Sequence, residues 1–120
     1  MKIDIHEINH IRIAELISDN NIITNIDDGT DLAGNLYYQN FDGVIIYKKN
    51  IAPIFFDLKS GIAGEILQKF SNFRLRLVIV GDFSSHPSKS LNDFIYESNK
   101  RKQVNFTISQ EEAIQVLSEK

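Results

Sequence analysis

The chain contains no cysteine in 120 residues, and that absence excludes several kinds of chemistry. Without thiols it has no disulfides, no cysteine nucleophile and no thiolate metal site. Long apolar runs are missing as well. None approaches the roughly 20 residues that a membrane-spanning helix requires, and no signal peptide is recognisable at the start of the chain. The simplest interpretation is a cytoplasmic protein with no membrane partner.

An excess of positive charge is also missing, because 13 Lys and Arg residues oppose 16 Asp and Glu residues. Binding to a nucleic-acid backbone requires clustered basic side chains, so the net charge of −3 argues against a nucleic-acid partner. The densest basic cluster, residues 100–102, follows a predicted helix, where cations complement the helix dipole. The composition, 42% hydrophobic and 24% charged, is typical of one soluble globular domain over residues 1–120.

Alternation of apolar and polar residues at the start of the chain predicts a β-hairpin. Ile3 and Ile5 lie in one alternating run, Ile11 and Ile13 lie in the next, and residues 7–9 look like the tight connection between them. Through the rest of the chain, helical spacing alternates with short apolar runs. A run as apolar as residues 75–80 is typical of a strand that is covered on both faces.

These patterns predict a small α/β domain with the element order β-β-α-β-α-β-α-β-α. Strands that alternate with helices imply right-handed crossovers, so we expect a mixed, mostly parallel sheet with covering helices and the hairpin at its edge. After the hairpin the expected elements are a short edge strand at residues 22–24, a helix from Thr24 or Asn25, a strand at 44–47, a long helix from Ala52 that is interrupted at Ser60-Gly61, a strand at 75–80, a helix with Ser90 and Asp93 as capping box, a strand with Val104, Phe106 and Ile108, and a helix capped by Ser109 and Glu112.

The run His6-Glu7-Ile8-Asn9-His10 matches the zinc-protease pattern H-E-x-x-H. That chemistry requires both histidines one turn apart on a helix, facing one metal ion. Here the flanking residues alternate with a period of two, so the histidines are expected on either side of a hairpin turn. No third ligand follows between Glu15 and Glu65. We interpret the match as coincidence and predict neither a metal nor another cofactor.

The most polar loop follows the apolar strand at residues 75–80. Ligands of open α/β sheets bind beyond the carboxyl ends of strands, which is where this loop lies. Ser84, Ser85 and Ser88, with Lys89 and the next helix N-terminus, could bind an anion. The same serines could equally cap the helix that follows.

A second polar cluster surrounds the interruption of the predicted long helix. Its small residues, Gly61 and Gly64, allow close approach of a strand, a helix or a ligand. A serine, a histidine and an aspartate in one region would suit a hydrolase, but no G-x-S-x-G elbow positions a nucleophile. Seven polar residues could meet there if the two strands are neighbours: Asp57, Lys59, Ser60, Glu65, Asp82, Ser84 and His86.

Six runs in the second half of the chain stand out together: FFDLKSGIAGEILQKF (residues 55–70), NF (72–73), VGDFS (80–84), SKSL (88–91), DFI (93–95) and ESN (97–99). They resemble the signature of domain-of-unknown-function family 4180. This is a bacterial family without an established activity, so the resemblance implies a relative and not a function.

A more distant resemblance is to STAS-type domains, the anti-sigma-factor antagonists and their relatives, which share the expected order of elements. In that superfamily a Ser or Thr before the central helix can be phosphorylated to control partner binding. Ser60-Gly61 after Asp57 is similar to the D-S-x-G pattern, with one additional residue. The resemblance implies Ser60 as a possible phosphosite, where a phosphate would add about two negative charges.

Two functions are consistent with these patterns. The first is a non-enzymatic regulatory or protein-interaction domain, whose partner is another protein or a second copy of the chain. The alternative is a small-ligand or nucleotide sensor that uses the loops after the central strands. Both would use one surface, formed by Asp57, Lys59, Ser60, Gly61, Gly64, Glu65, Asp82, Ser84, Ser85, His86 and Lys89.

Overall fold

The structure, a computed structural model, describes residues 1–119. Within them the predicted α/β class is confirmed, with five strands and four α-helices. In chain order the elements are β1 (Lys2–Ile8), β2 (Ile11–Ile17), α1 (Ile26–Tyr38), β3 (Gly43–Tyr47), α2 (Ile62–Asn72), β4 (Arg76–Val80), α3 (Lys89–Asn99), β5 (Val104–Thr107) and α4 (Gln110–Ser118).

The strands lie in the sheet in their order along the chain. The first pair is antiparallel, and the pairs from β2 to β5 are parallel. Right-handed crossovers that always advance in one direction place their helices on one face, so α1, α2 and α3 share it. We call this the three-helix face. The last helix, α4, covers the opposite face, which we call the one-helix face.

Each of the three central strands, β2, β3 and β4, divides its side chains between two apolar clusters. In β3, Val44 and Ile46 belong to the larger cluster under the three helices, whereas Ile45 belongs to the smaller cluster with Ala113 and Leu117 of α4. Both faces are therefore buried at the centre of the sheet, as the continuous apolar run of β4 predicted. In the described residues 1–119, no helix is long and apolar enough to span a membrane.

The hairpin is confirmed, but its connection is not at residues 7–9. Ile8 pairs with Ile11, and the two-residue turn is Asn9-His10, with φ angles of 54° and 66°. Two positive φ angles give the turn whose twist matches a right-twisted hairpin. His6 lies in the strand, as the period of two predicted, but His10 lies in the turn itself and not beyond it. The H-E-x-x-H residues are therefore not helical, as expected.

The predicted long helix from Ala52 is wrong in its first half. Pro53–Phe56 and Leu58–Ser60 are separate 3₁₀ turns, and α2 begins only at Ile62. Ser60 explains the interruption, because its hydroxyl donates to the Ile54 carbonyl (3.1 Å) and accepts from Ile62 N–H (3.2 Å). Such side-chain bonds compete with helical ones. The predicted interruption at Ser60-Gly61 is confirmed.

Of the four predicted helix starts, two are correct, and the start at Ala52 is one of the two that are wrong. Asn25 caps α1 and accepts from the main-chain N–H of Asp28 at 2.8 Å. Ser109 caps α4 through the main-chain N–H of Glu112 at 3.2 Å. The predicted cap Ser90 is wrong, since Ser88 accepts from the N–H of Leu91 and α3 begins at Lys89.

Two strand predictions also differ from the structure. Residues 22–24 form no strand, and Ile23 makes only an isolated bridge to Ile51. Strand β5 ends at Thr107, whose hydroxyl donates to the Ser109 carbonyl and turns the chain toward α4. Ile108 therefore does not continue the alternation, and 74% of it is exposed.

Helix α1 contains two glycines with opposite surroundings, and this gives a first prediction. A Cβ at Gly29 would lie 2.7–2.8 Å from three carbons of the buried Ile66 side chain, whereas one at Gly34 would meet Phe73 at an ordinary 3.7 Å. We expect Gly29→Ala to lower the free energy of unfolding by about 1–2 kcal/mol through overpacking. Gly34→Ala should raise it by about 0.5–1 kcal/mol through helix propensity.

Urea unfolding of both variants measures the two changes. The same sign for both substitutions would contradict close packing of α1 on α2 at Gly29.

Candidate functional site

An open cavity of about 990 Å³ lies where the parallel strands end. We call it the carboxyl-edge groove. It forms because the segments after β3, β4 and β5 leave the sheet at the same edge. Its walls include Tyr47, Lys48, Lys49, Ile51, Pro53, Phe56, Val80, Gly81, Asp82, His86 and Ile108.

The floor of the carboxyl-edge groove is apolar and well packed. Val80 and Phe56 are 5% and 7% exposed. The Phe56 ring contacts Phe55 edge-on at 5.1 Å and Phe83 at 5.3 Å between centroids. Aromatic pairs in such geometries add stability beyond their buried area, so the floor has a fixed shape.

Lys48 lies along one wall and is held from three sides. Its ammonium group donates to the Asp82 carbonyl at 2.8 Å and lies 4.6 Å from the Phe83 ring centroid. Its Cβ lies where a side chain at Gly81 would be, only 2.5 Å from an added Cβ. Glycine at position 81 therefore allows Lys48 to pack against the main chain after β4. The neighbouring Lys49 is exposed on the same wall.

Asp82 is tied to its own loop. Its carboxylate accepts from the Ser84 main-chain N–H (2.9 Å) and hydroxyl (2.6 Å). These bonds from Ser84, with a smaller contribution from the charge of Lys48, lower the pKa of Asp82 below its ordinary value. Asp82 is therefore ionised at neutral pH and already partnered.

The two predicted segments meet at His86. A smaller cavity of about 460 Å³ is lined by Asp57, Lys59 and His86, and it shares Pro53 and Phe56 with the carboxyl-edge groove. The structure therefore brings together four of the predicted site residues: Asp57, Lys59, Asp82 and His86.

The other seven predicted residues do not line either cavity: Ser60, Gly61, Gly64, Glu65, Ser84, Ser85 and Lys89. Several have local structural roles instead. Gly61, with a φ of 79°, precedes α2, and Ser60 closes the turn before it. Lys89 forms an ion pair with Asp93 at 2.7 Å, which raises the pKa of Lys89.

The serine and histidine side chains do not form a nucleophile and base pair. The Ser60 hydroxyl donates to a carbonyl, the Ser84 hydroxyl donates to Asp82, and His86 Nδ1 accepts from the Ser88 main-chain N–H at 3.2 Å. In residues 1–119 no hydrogen bond joins a histidine to a serine hydroxyl. A serine that is activated by a neighbouring base requires such a bond.

A buried carboxylate beside the groove is absent from the sequence-based site. Glu15, on the one-helix face of β2, is only 4% exposed. Its oxygens accept from the Tyr47 hydroxyl (2.5 Å), Gln110 Nε2 (2.8 Å) and His6 Nε2 (2.8 Å). These four residues, which we call the Glu15 cluster, join β1, β2 and β3 to the start of α4.

Hydrogen bonds stabilise the ionised carboxylate of Glu15 in this cluster. Burial alone would raise the pKa of Glu15, but bonds from Tyr47, Gln110 and His6 outweigh it and lower the pKa below 4.5. Burial, followed by the bond to Glu15 and its charge, raises the pKa of Tyr47. Glu15 is thus ionised and Tyr47 protonated at neutral pH. Because Tyr47 also lines the carboxyl-edge groove, it connects the groove with the buried charge.

Two sequence signals could have revealed these residues. Glu15 continues the alternation of Ile11 and Ile13, which places a carboxylate on an inward-facing position of β2. Lys48 and Lys49 follow β3 just as the loop at Asp82 follows β4. The rule that ligands bind beyond strand ends applies to both loops, although only the second one was singled out.

In residues 1–119 no group of three or more His, Asp or Glu side chains is placed to hold one ion.

Comparison with known families agrees with the sequence resemblance. The family model described as domain of unknown function (DUF4180) matches residues 8–117, nearly the whole chain. No curated protein matches the chain. The resemblance to STAS-type domains stays a prediction.

Proposed function

The chain belongs to the DUF4180 family, and on that premise we propose that it is a bacterial cytoplasmic sensor that binds a small anionic molecule with an apolar body in the carboxyl-edge groove. The main support for this proposal is a concave cavity with an apolar floor and lysines on its wall. Small-molecule sites combine such a floor with a few placed polar groups, over volumes of about 300–1,000 Å³.

Shape and polarity define the part of the ligand that is buried. Val80 and Phe56 provide the floor, and Ile51 and Ile108 extend it on either side. A flat or aromatic body would exclude water from these surfaces, which is favourable at about 25 cal/mol per Å².

Charge defines the other end of the ligand. The protein carries a net charge of −3, yet two lysines, Lys48 and Lys49, lie together on the groove wall. The carboxylate of Asp82 is bound to Ser84, so it does not neutralise the exposed Lys49 through a direct bond. A carboxylate, sulfonate or phosphate of the ligand fits beside these ammonium groups.

We propose binding without turnover at the groove. On its wall, the carboxylate of Asp82 is engaged by Ser84, and the ammonium group of Lys48 is engaged by the Asp82 carbonyl. A binding domain that changes its contacts when the groove fills has a regulatory role, and this is the role that we propose.

A second candidate, a protein-interaction surface, is favoured by two exposed isoleucines. Ile108 is 74% exposed on the groove wall, and Ile54, beside Pro53, is 44% exposed. Exposed apolar side chains at a groove can contact a partner. A phosphate on Ser60 would break its bond to the Ile54 carbonyl and alter this surface.

Anilinonaphthalene sulfonate, an aromatic body with one sulfonate, is a suitable probe for the carboxyl-edge groove. We expect saturable binding to the native protein by fluorescence titration. Ile108→Asp should weaken binding at least tenfold, or about 1.4 kcal/mol, because it adds a like charge and removes apolar surface. Ile108 is exposed and outside β5, so the fold should be unaffected.

Tyr96→Asp is the matched control. Tyr96 is 65% exposed on α3 and does not line the groove. Equal weakening by both variants, or amide NMR shifts that are centred away from residues 47–51, 80–82 and 108, would argue against the groove as the binding site. Loss of partner binding in Ile108→Asp, with probe binding unchanged, would favour the second candidate.

A further inference from the structure

We propose that the free edge of β1 pairs with β1 of a second copy of the chain, antiparallel and about a twofold axis through Ile5, so that two five-stranded sheets become one. The proposal does not rest on the carboxyl-edge groove, which is lined by no residue of β1.

The hairpin turn determines which main-chain groups of β1 are free. In a two-residue hairpin the residues that flank the turn exchange both hydrogen bonds, so Ile8 and Ile11 form a hydrogen-bonded pair. Such pairs alternate along the ladder. The main-chain groups of Lys2, Asp4 and His6 therefore point toward β2 as well.

The N–H and C=O groups of Ile3, Ile5 and Glu7 consequently point away from the sheet. The main-chain groups of β2 alternate in the same way, between β1 and β3. Arg12 pairs with Glu7, and its carbonyl accepts from the Asp42 N–H on the β3 side, at 2.8 Å. In the described residues no bond reaches the outward groups of these three residues, so β1 presents an open ladder to solvent.

The other edge of the sheet is closed, which makes the open edge distinctive. At β5 the outward N–H of Phe106 is bound by the Asn99 side chain at 2.8 Å. The side-chain Nδ2 of Asn105 donates to the Arg101 carbonyl at 2.8 Å. The segment after α3 therefore covers this edge. Proteins normally protect edges by covering, bulges, proline or charged side chains. The seven paired residues of β1 contain neither a bulge nor proline, and of the three residues whose main-chain groups are free only Glu7 is charged.

Three outward residues allow one register that uses all of them. With Ile5 opposite the partner's Ile5, Ile3 lies opposite the partner's Glu7, and the reverse pair follows by symmetry. Three hydrogen-bonded pairs give six main-chain bonds. A shift of two residues in either direction leaves only two such pairs.

Side chains favour the same register. Asp4 lies opposite the partner's His6 in a non-hydrogen-bonded pair, where side chains are closest. Asp4 and His6 are partly exposed on the one-helix face. On the other face, Ile5, 53% exposed, would be covered by its own symmetry mate. A shift in one direction would instead place Asp4 opposite the partner's Asp4, which is repulsive.

Sedimentation equilibrium of the full chain tests the pairing. We expect a reversible dimer, and Ile5→Lys should weaken it at least tenfold, because it places two ammonium groups opposite each other. Tyr96→Lys, the same kind of change at an exposed residue of α3, should leave the affinity unchanged. A wild-type monomer at millimolar concentration, or equal effects of the two variants, would overturn the proposal.

Asp4→Asn tests the register. It should leave the dimer no stronger, because in this register Asp4 faces the partner's His6 and not a second carboxylate. A stronger dimer would indicate Asp4 opposite Asp4 and overturn this register. Amide hydrogen exchange gives a second measurement: the amides of Ile3, Ile5 and Glu7 should gain protection as the protein concentration rises. Concentration-independent exchange at these amides in a dimeric sample would exclude β1 as the interface.

Discussion

Glu15→Ala should lower the free energy of unfolding by about 3–5 kcal/mol, because each polar group that it leaves unsatisfied costs about 1–3 kcal/mol. Glu15 is 4% exposed and accepts from Tyr47, Gln110 and His6. Without its carboxylate, three polar groups lose their acceptor and a cavity remains beneath α4. Urea unfolding at pH 7 measures the loss.

Glu15→Gln is the matched variant, since it keeps the shape and one acceptor oxygen. We expect an intermediate loss. The folded-state pKa of Glu15 is lowered below 4.5, so its contribution is fully present above about pH 4.5 and disappears as the pH falls toward the folded-state value. Glu15→Gln should lack this part of the acid destabilisation. Wild-type stability of Glu15→Ala would show that the cluster is solvated.

Arg76→Ala should lower the free energy of unfolding by about 2–3 kcal/mol. The Arg76 guanidinium donates to four carbonyls: those of Lys102 (2.7 Å), Val116 (3.2 Å), Glu119 (3.3 Å) and Leu117 (3.5 Å). Hydrogen bonds from a charged donor contribute about 1.5–3 kcal/mol each in favourable cases. The bonds of Arg76 are partly exposed, so their sum is smaller. The last turn of α4 contains no basic residue, so Arg76 also supplies the cation at the negative end of the helix.

Arg76→Lys separates charge from geometry. A lysine keeps the charge but cannot reach several carbonyls with a planar fork, so we expect about half of the loss. Amide exchange should show that α4 opens before the rest of the domain in Arg76→Ala. Uniform loss of protection in all four helices would contradict an anchoring role for Arg76.

The regular elements were predictable because each one repeats its signal along the chain. The alternation at Ile3, Ile5, Ile11 and Ile13 specifies the hairpin, and the apolar run of β4 specifies a central parallel strand. Sheet order then follows from short connections and handed crossovers. The position of the hairpin turn was missed because Asn9 and His10 adopt positive φ angles, for which glycine would be the stronger signal.

Errors occurred where side chains compete with the backbone. The Ser60 hydroxyl takes bonds that a continuous helix would need, and so the segment from Pro53 consists of 3₁₀ turns. The spacing of apolar residues does not show where a side chain competes for main-chain hydrogen bonds. Ile108 continues the alternation of β5 in sequence, but Thr107 ends the strand by bonding to the Ser109 carbonyl.

Four of the eleven residues predicted for the candidate site line the groove or the smaller cavity beside it. Topology indicated the edge where strands end, and Asp57, Lys59, Asp82 and His86 lie there. The groove floor and the Glu15 cluster depend on contacts between residues that are far apart in sequence. Tyr47 and Glu15 are separated by 32 positions, and Gln110 and Glu15 by 95. No local pattern contains this information.

Native mass spectrometry of protein purified gently from its own cells tests the sensor function most directly. We predict a mass excess of one small molecule on the wild-type chain and on Tyr96→Asp, and its loss from Ile108→Asp. An unmodified mass for all three proteins, or the same adduct on Ile108→Asp, would contradict ligand binding in the carboxyl-edge groove.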